Sequence, residues 1–167
     1  MNLYILRHGL AGKQGMGGFK SDSERPLTAK GRQRLRRIAE AMEAMDLSFN
    51  VILTSPFARA LQTAQIVAEA FDLQNRLTET VYLTPGGSPK ALIEQINAIK
   101  PRTKNVLLAG HEPYLSKLIA LLVAGNTAAA VELKKGGLAK LEIDELRYGQ
   151  CATMAWLLTP RQMLLMA

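Results

Sequence analysis

At 167 residues the chain has the length of one domain, and residues 1–167 read as a single unit able to bury roughly two thirds of its unfolded surface. No apolar run approaches the ~18 residues of a membrane span and the start shows no cleavable leader pattern, so a cytoplasmic protein without a membrane partner is expected. Cys151 is the one cysteine, which excludes disulfide scaffolding and leaves a buried, inert thiol, while a formal net charge of +7 points to an anionic partner.

The first predicted element is a strand over Asn2–Arg7, a short continuous apolar run of the kind buried on both faces in a parallel sheet. It delivers Arg7-His8-Gly9 to its end, where Gly9 would let the backbone turn sharply. From Thr28 to Met45, apolar residues recur at Leu35, Ile38, Met42 and Met45, the spacing of a helix. Lys30, Arg32, Arg34, Arg36 and Arg37 point in several directions around that helix and read as a solvated face. Asn50–Thr54 is a second buried strand. Ser55-Pro56 then reads as an N-cap and first helical residue, followed by the stripe Phe57, Ala60, Leu61, Ala64, Val67, Ala68 and Phe71.

Ser88-Pro89 repeats that device before Leu92, Ile96 and Ile99, with a stop ahead of Pro101. Asn105–Gly110 is a third buried strand. A helix from about Pro113 to Val123 follows, with Gly125 as its C-terminal stop. Leu138–Asp144 and Ala152–Leu158 read as antiparallel strands joined near Tyr148-Gly149. Strands alternating with helices and closing on a hairpin predict an α/β sandwich with a mostly parallel sheet.

The chain has two histidines, and both stand where a buried strand ends. His8 follows Leu3-Tyr4-Ile5-Leu6-Arg7, and His111 follows Val106-Leu107-Leu108-Ala109-Gly110. Ligands of open parallel sheets bind beyond the carboxyl ends of the strands. Either histidine alone could be a satisfied core residue; two at one edge, from distant segments, point to a site. Arg59 adds to this, because a cation in the first turn of a helix is disfavoured by ~0.3–1 kcal/mol. A helix start with an arginine is an anion receptor, and Arg7 could supply a second guanidinium fork. The alternative is that both arginines pair with surface carboxylates.

A metal would need a third ligand besides the two imidazoles. Glu112 is the one adjacent carboxylate, among cations that would repel the ion, so no metal is expected. Aromatic residues make up 5% and no basic segment is interleaved with them, so nucleic acid is not the expected partner. An anionic substrate attacked by a neutral imidazole fits the charges best.

Arg7-His8-Gly9, Ser55-Pro56-Phe57-x-Arg59-Ala60-x-Gln62-Thr63 and Gly110-His111-Glu112-Pro113 together resemble the histidine phosphatase superfamily, which contains the cofactor-dependent phosphoglycerate mutases. Asp22-Ser23-Glu24-Arg25-Pro26-Leu27-Thr28 and the short length resemble its small SixA-type phosphohistidine phosphatase branch. The resemblance implies a three-layer α/β/α sandwich without metal or organic cofactor. His8 would be the nucleophile, with Arg7, Arg59 and His111 around the phosphoryl group and Arg25 reaching it as well. Gly15–Gly18 departs from the pattern as a longer glycine-rich loop ahead of Arg25.

Larger relatives use a glutamate to protonate an alkoxide leaving group, and Glu79 is the nearest candidate here. Leu83-Thr84-Pro85-x-Gly87, however, resembles the small branch, which lacks that acid. Without one, ester cleavage forgoes ~10²–10⁴-fold, whereas an imidazole departs readily. The resemblance therefore implies a phosphatase acting on phosphorylated protein of the histidine-containing phosphotransfer type. The alternatives are a small-molecule phosphomonoesterase acting on a phosphorylated metabolite (a sugar or nucleotide phosphate), and a non-catalytic phosphate-sensing or docking module.

Overall fold

The computed structural model describes residues 1–12, 18–99 and 103–166. Strands β1 (Asn2–Arg7), β2 (Val51–Thr54), β3 (Leu77–Glu79), β4 (Asn105–Gly110), β5 (Leu138–Ile143) and β6 (Ala152–Leu158) form one sheet in the order β3-β2-β4-β1-β5-β6. The first four run parallel; β5 is antiparallel to β1, and β6 to β5.

Helices α1 (Ala29–Ala44), α2 (Ala58–Ala70) and the short α5 (Pro160–Met163) pack on one face. Helices α3 (Pro89–Asn97) and α4 (Tyr114–Ala124) pack on the other. The period-2 alternation of β1 divides its side chains between the two cores. Leu3 and Ile5 join Leu92, Leu115 and Leu118, while Tyr4 and Leu6 join Leu35, Ile38 and Val67. The result is a three-layer α/β/α sandwich with a mostly parallel sheet.

Because α1 leaves β1 on one face and α4 leaves β4 on the other, the crevice beyond these adjacent strands is a topological switch point. The exit from β1 is stitched to α1 there. Thr28 donates its backbone N–H to the Leu10 carbonyl at 2.9 Å and caps α1 by accepting from Gly31 N at 3.0 Å. Gly31 lies so close to Leu10 that a Cβ would stand 2.2 Å from the Leu10 carbonyl oxygen.

Several expectations need correction. Helix α2 begins at Ala58 with Phe57 at its N-cap, not at Pro56 behind a capping Ser55. Strand β3, α5 and three short 3-10 turns are additional elements. Gly9 does not adopt a left-handed φ. Its smallness serves a close approach instead, since a Cβ would come within 2.6 Å of Leu35 Cδ1. Cys151 is half-buried rather than buried, with Sγ 3.2 Å from the Arg147 carbonyl. Gly15, Met16 and Gly17 of the glycine-rich loop, and Pro101, lie outside the described residues.

Candidate active site

Arg7 and Gly110 are register partners at the ends of β1 and β4, so His8 and His111 stand one residue beyond neighbouring central strands. Their ring centroids are 5.2 Å apart. Both are buried, with 6% of His8 and 1% of His111 exposed. His8 Nδ1 lies 2.8 Å from the Gly9 carbonyl, an acceptor only, so Nδ1 carries the proton and Nε2 keeps its lone pair. That lone pair accepts from Arg59 Nε at 3.2 Å.

Arg59, 4% exposed, enters from the first turn of α2. Its Nη1 donates to the Asp22 carbonyl at 2.7 Å and its Nη2 to Asp22 Oδ2 at 2.8 Å. Its own backbone carbonyl accepts from Thr63 Oγ1 at 2.7 Å, and that hydroxyl accepts from Gly9 N at 3.1 Å. Thr63 thereby ties the arginine's helix to the loop that carries the histidine.

Arg25 completes the cationic side. Nε donates to Asp22 Oδ1 and Nη1 to the Gly12 carbonyl, each at 2.8 Å. Burial works to raise the Asp22 carboxyl, but the two guanidinium groups outweigh it and hold it below its ordinary range. Asp22 is thus an internal counterion between the two arginines, a role that local sequence did not signal. Ser55 is the other such residue: its Oγ lies 2.8 Å from His111 Nε2 and accepts from Phe57 N at 3.3 Å. His111 Nδ1 is buried without a partner among the described residues.

Arg7 is the last residue of β1. Its Nη1 donates to the Leu133 carbonyl at 2.8 Å and its Nε is buried without a partner among the described residues. Its charge nevertheless depresses both imidazoles. Glu79 is exposed at the end of edge strand β3, opposite Thr54, and its side chain has no hydrogen bond or ion pair among the described residues. Glu112 Oε1 accepts from Ser116 N at 3.0 Å, in the first turn of α4. Among the described residues, no three His, Cys, Asp or Glu side chains gather as a metal ion requires.

Burial, ahead of the charges of Arg59, Arg7 and Lys135 and against the pull of the Gly9 carbonyl, brings His8 down to about 4. Burial, followed by Arg59 and His8, brings His111 down to about 3. Both rings are therefore neutral at pH 7, and a bound dianion would raise both. The unfolded chain takes up protons here near 6.5, which the folded chain refuses until about 4 and 3. Stability at these positions is thus whole above pH 6.5 and is lost as pH falls. A ¹⁵N NMR titration of the anion-free protein should place both midpoints below 5; a midpoint near 6.5 for either ring would contradict this electrostatic account.

Comparison with known proteins places the arrangement. Residues 3–82 match the family model of the histidine phosphatase superfamily, branch 1. The phosphohistidine phosphatase SixA of Escherichia coli K12 is 29% identical over 161 residues, spanning 96% of this chain and 94% of the relative. A SixA homolog of Haemophilus influenzae is 30% identical over 130 residues, spanning 73% and 77%. The solved structure of the protein histidine phosphatase SixA with tungstate superimposes with a TM-score of 0.82 at 29% identity, over 96% of this chain and 98% of that one.

Proposed function

The chain belongs to the histidine phosphatase superfamily, in its SixA-type branch, and is a phosphatase; from that premise we propose that it removes phosphoryl groups from histidine side chains of phosphorylated proteins in the cytoplasm. The observation that carries the reading is the state of His8. It is buried, with Nδ1 held on a carbonyl and the Nε2 lone pair turned toward an arginine.

In the proposed first step, Nε2 of His8 attacks phosphorus in line as the substrate's P–N bond breaks. The departing electrons return to the leaving imidazole, whose other nitrogen already carries a proton, so it leaves neutral. Water then attacks phospho-His8; the second P–N bond breaks, and inorganic phosphate and neutral His8 are restored. Arg59, Arg25 and Arg7 stabilise the equatorial oxygens as fixed cations, with Asp22 giving up its hold on the first two as the phosphoryl group arrives. Unpaired His111 Nδ1 is the further donor.

The choice of substrate rests on proton supply. Asp22 is ionised by its two arginines, Glu112 accepts from a backbone N–H, and Glu79 is exposed on the edge strand. Among the described residues no hydrogen bond holds Glu79 or Glu112 against His8 or His111, and a departing imidazole needs no such acid. The test compares a phosphohistidine phosphotransfer protein with sugar and nucleotide phosphates. The phosphoprotein should lead in kcat/KM by about 100-fold or more, the scale of a missing general acid. Faster turnover of the esters would replace this reading with the small-molecule phosphomonoesterase; phosphate binding without turnover would leave the sensing module.

Ser55 is assigned a positioning role in the same scheme. With its hydroxyl donating to Nε2, His111 keeps its proton on Nδ1 for the phosphoryl oxygen. Ser55→Ala should lower kcat by about 10–100-fold with little change in KM. The readout specific to this role is the His111 ¹⁵N shifts, which should show a mixture of tautomers. Shifts identical to wild type would remove Ser55 from the mechanism.

A further inference from the structure

Beside the phosphoryl site runs a groove of about 550 Å³ that the scheme above does not use. Five cationic side chains line it: Arg7 from β1, Arg34 from α1, Lys134 and Lys135 from the segment before β5, and Arg161 from α5. Among the described residues, no carboxylate is among its walls. Of the five, Lys134 alone has an ion-pair partner among the described residues, the exposed Glu132. Arg7 and Arg34 each bury an Nε that has no hydrogen-bond partner among the described residues. Leu10 and Pro160 give the groove an apolar lining between these charges.

Two observations connect the groove to the chemistry. Arg7, one residue before His8, belongs to both. Lys135 is near enough to His8 for its charge to depress the imidazole. A substrate with its phosphoryl group at His8 therefore meets this cluster with whatever stands next to that group.

We propose that the groove is a specificity site for carboxylate side chains flanking the phosphorylated residue of a partner protein. The inference rests on the phosphoprotein reading above and adds the character of the substrate's surface. The charges come from four separate segments, and three of them, Lys134, Lys135 and Arg161, are exposed. A second phosphate on a small molecule would call for guanidinium forks converging on one anion, as Arg59 and Arg25 converge on the Asp22 carboxylate. Spread, flexible cations over an apolar strip instead match several carboxylates on a polypeptide, where complementarity acts on encounter and register. Leu165 and Met166, exposed just beyond Arg161, extend that surface with apolar contacts.

The test uses two phosphohistidine peptides of equal length, one flanked by glutamates and one by glutamines, with wild type and the Lys135→Glu/Arg161→Glu double variant. Wild type should favour the acidic peptide by about tenfold or more in kcat/KM, chiefly through KM, with the preference shrinking as salt rises. The variant should bring the ratio near one, its folding verified by thermal melting. A ratio near one in wild type overturns the proposal.

If neither peptide is turned over while an aryl phosphate is, the phosphohistidine reading has failed and the groove is judged separately. An unphosphorylated glutamate-rich peptide should then inhibit aryl phosphate hydrolysis by wild type, and at least tenfold more weakly in the variant. Equal inhibition of both proteins, or tighter inhibition of wild type by duplex DNA than by the peptide, overturns the assignment.

Discussion

Replacing His8 with alanine yields a protein that accumulates no phosphoenzyme and loses turnover to the limit of detection. The Nε2 lone pair of His8 faces Arg59, and the proton on Nδ1 is already placed on the Gly9 carbonyl. A bound water has no equivalent orientation, so the arginines can bind phosphate without delivering a nucleophile. Acid-quench trapping with labelled substrate would check this, with labelled phosphohistidine in wild type and none in the variant. His8→Ala should also lose less stability than wild type between pH 7 and pH 4–5. Its unfolded state no longer gains a proton that the folded state refuses. Full turnover by the variant would end the proposed mechanism.

Arg59→Ala should lower kcat/KM on the order of 10³-fold, about 4 kcal/mol of transition-state stabilisation. The loss has two parts. One is direct, because a planar fork beside His8 disappears. The other is organisational, because Asp22 loses a partner and keeps Arg25 alone. Arg59→Lys should recover little, since an ammonium cannot hold the backbone carbonyl and carboxylate of Asp22 together while also donating to His8. The electrostatic signature separates these effects from simple damage. Removing this cation takes away a charge that depresses both imidazoles, so the His8 and His111 midpoints should rise above about 4 and 3 respectively. Midpoints at the unfolded value near 6.5 would place the defect in folding, and unmoved midpoints would overturn the assigned influence of Arg59 on the two rings.

Much of this was legible before any coordinates. Three apolar runs mark β1, β2 and β4, and the helical stripes mark α1 through α4. The gathering of His8, Arg59 and His111 follows from the rule that parallel strands present their carboxyl ends together. Two of the misreadings trace to distant partners competing with local preference. Ser55-Pro56 has the local form of a helix start, but the serine hydroxyl meets a histidine 56 positions on, and the helix begins later. Asp22 gave no signal of its own, because its two arginines come from different segments, one of them 37 positions away.

Strand β3 escaped detection because three residues, two of them exposed, cannot show an apolar pattern. Helix α5 was readable: Thr159-Pro160-Arg161-Gln162 carries a capping box, and the reciprocal bonds are present. Gly9 was singled out for turning, whereas what limits it is the approach of Leu35.

The two imidazoles sit one step past β1 and β4, strands joined by a ladder running from Asn2 and Asn105 to Arg7 and Gly110. Interstrand spacing, near 4.8 Å in any sheet, therefore sets the width of the reaction chamber. A dimension fixed by main-chain geometry does not drift when aliphatic side chains beneath it are exchanged for others of similar bulk. Evolution could rewrite the interior freely while leaving the separation of the two rings unchanged.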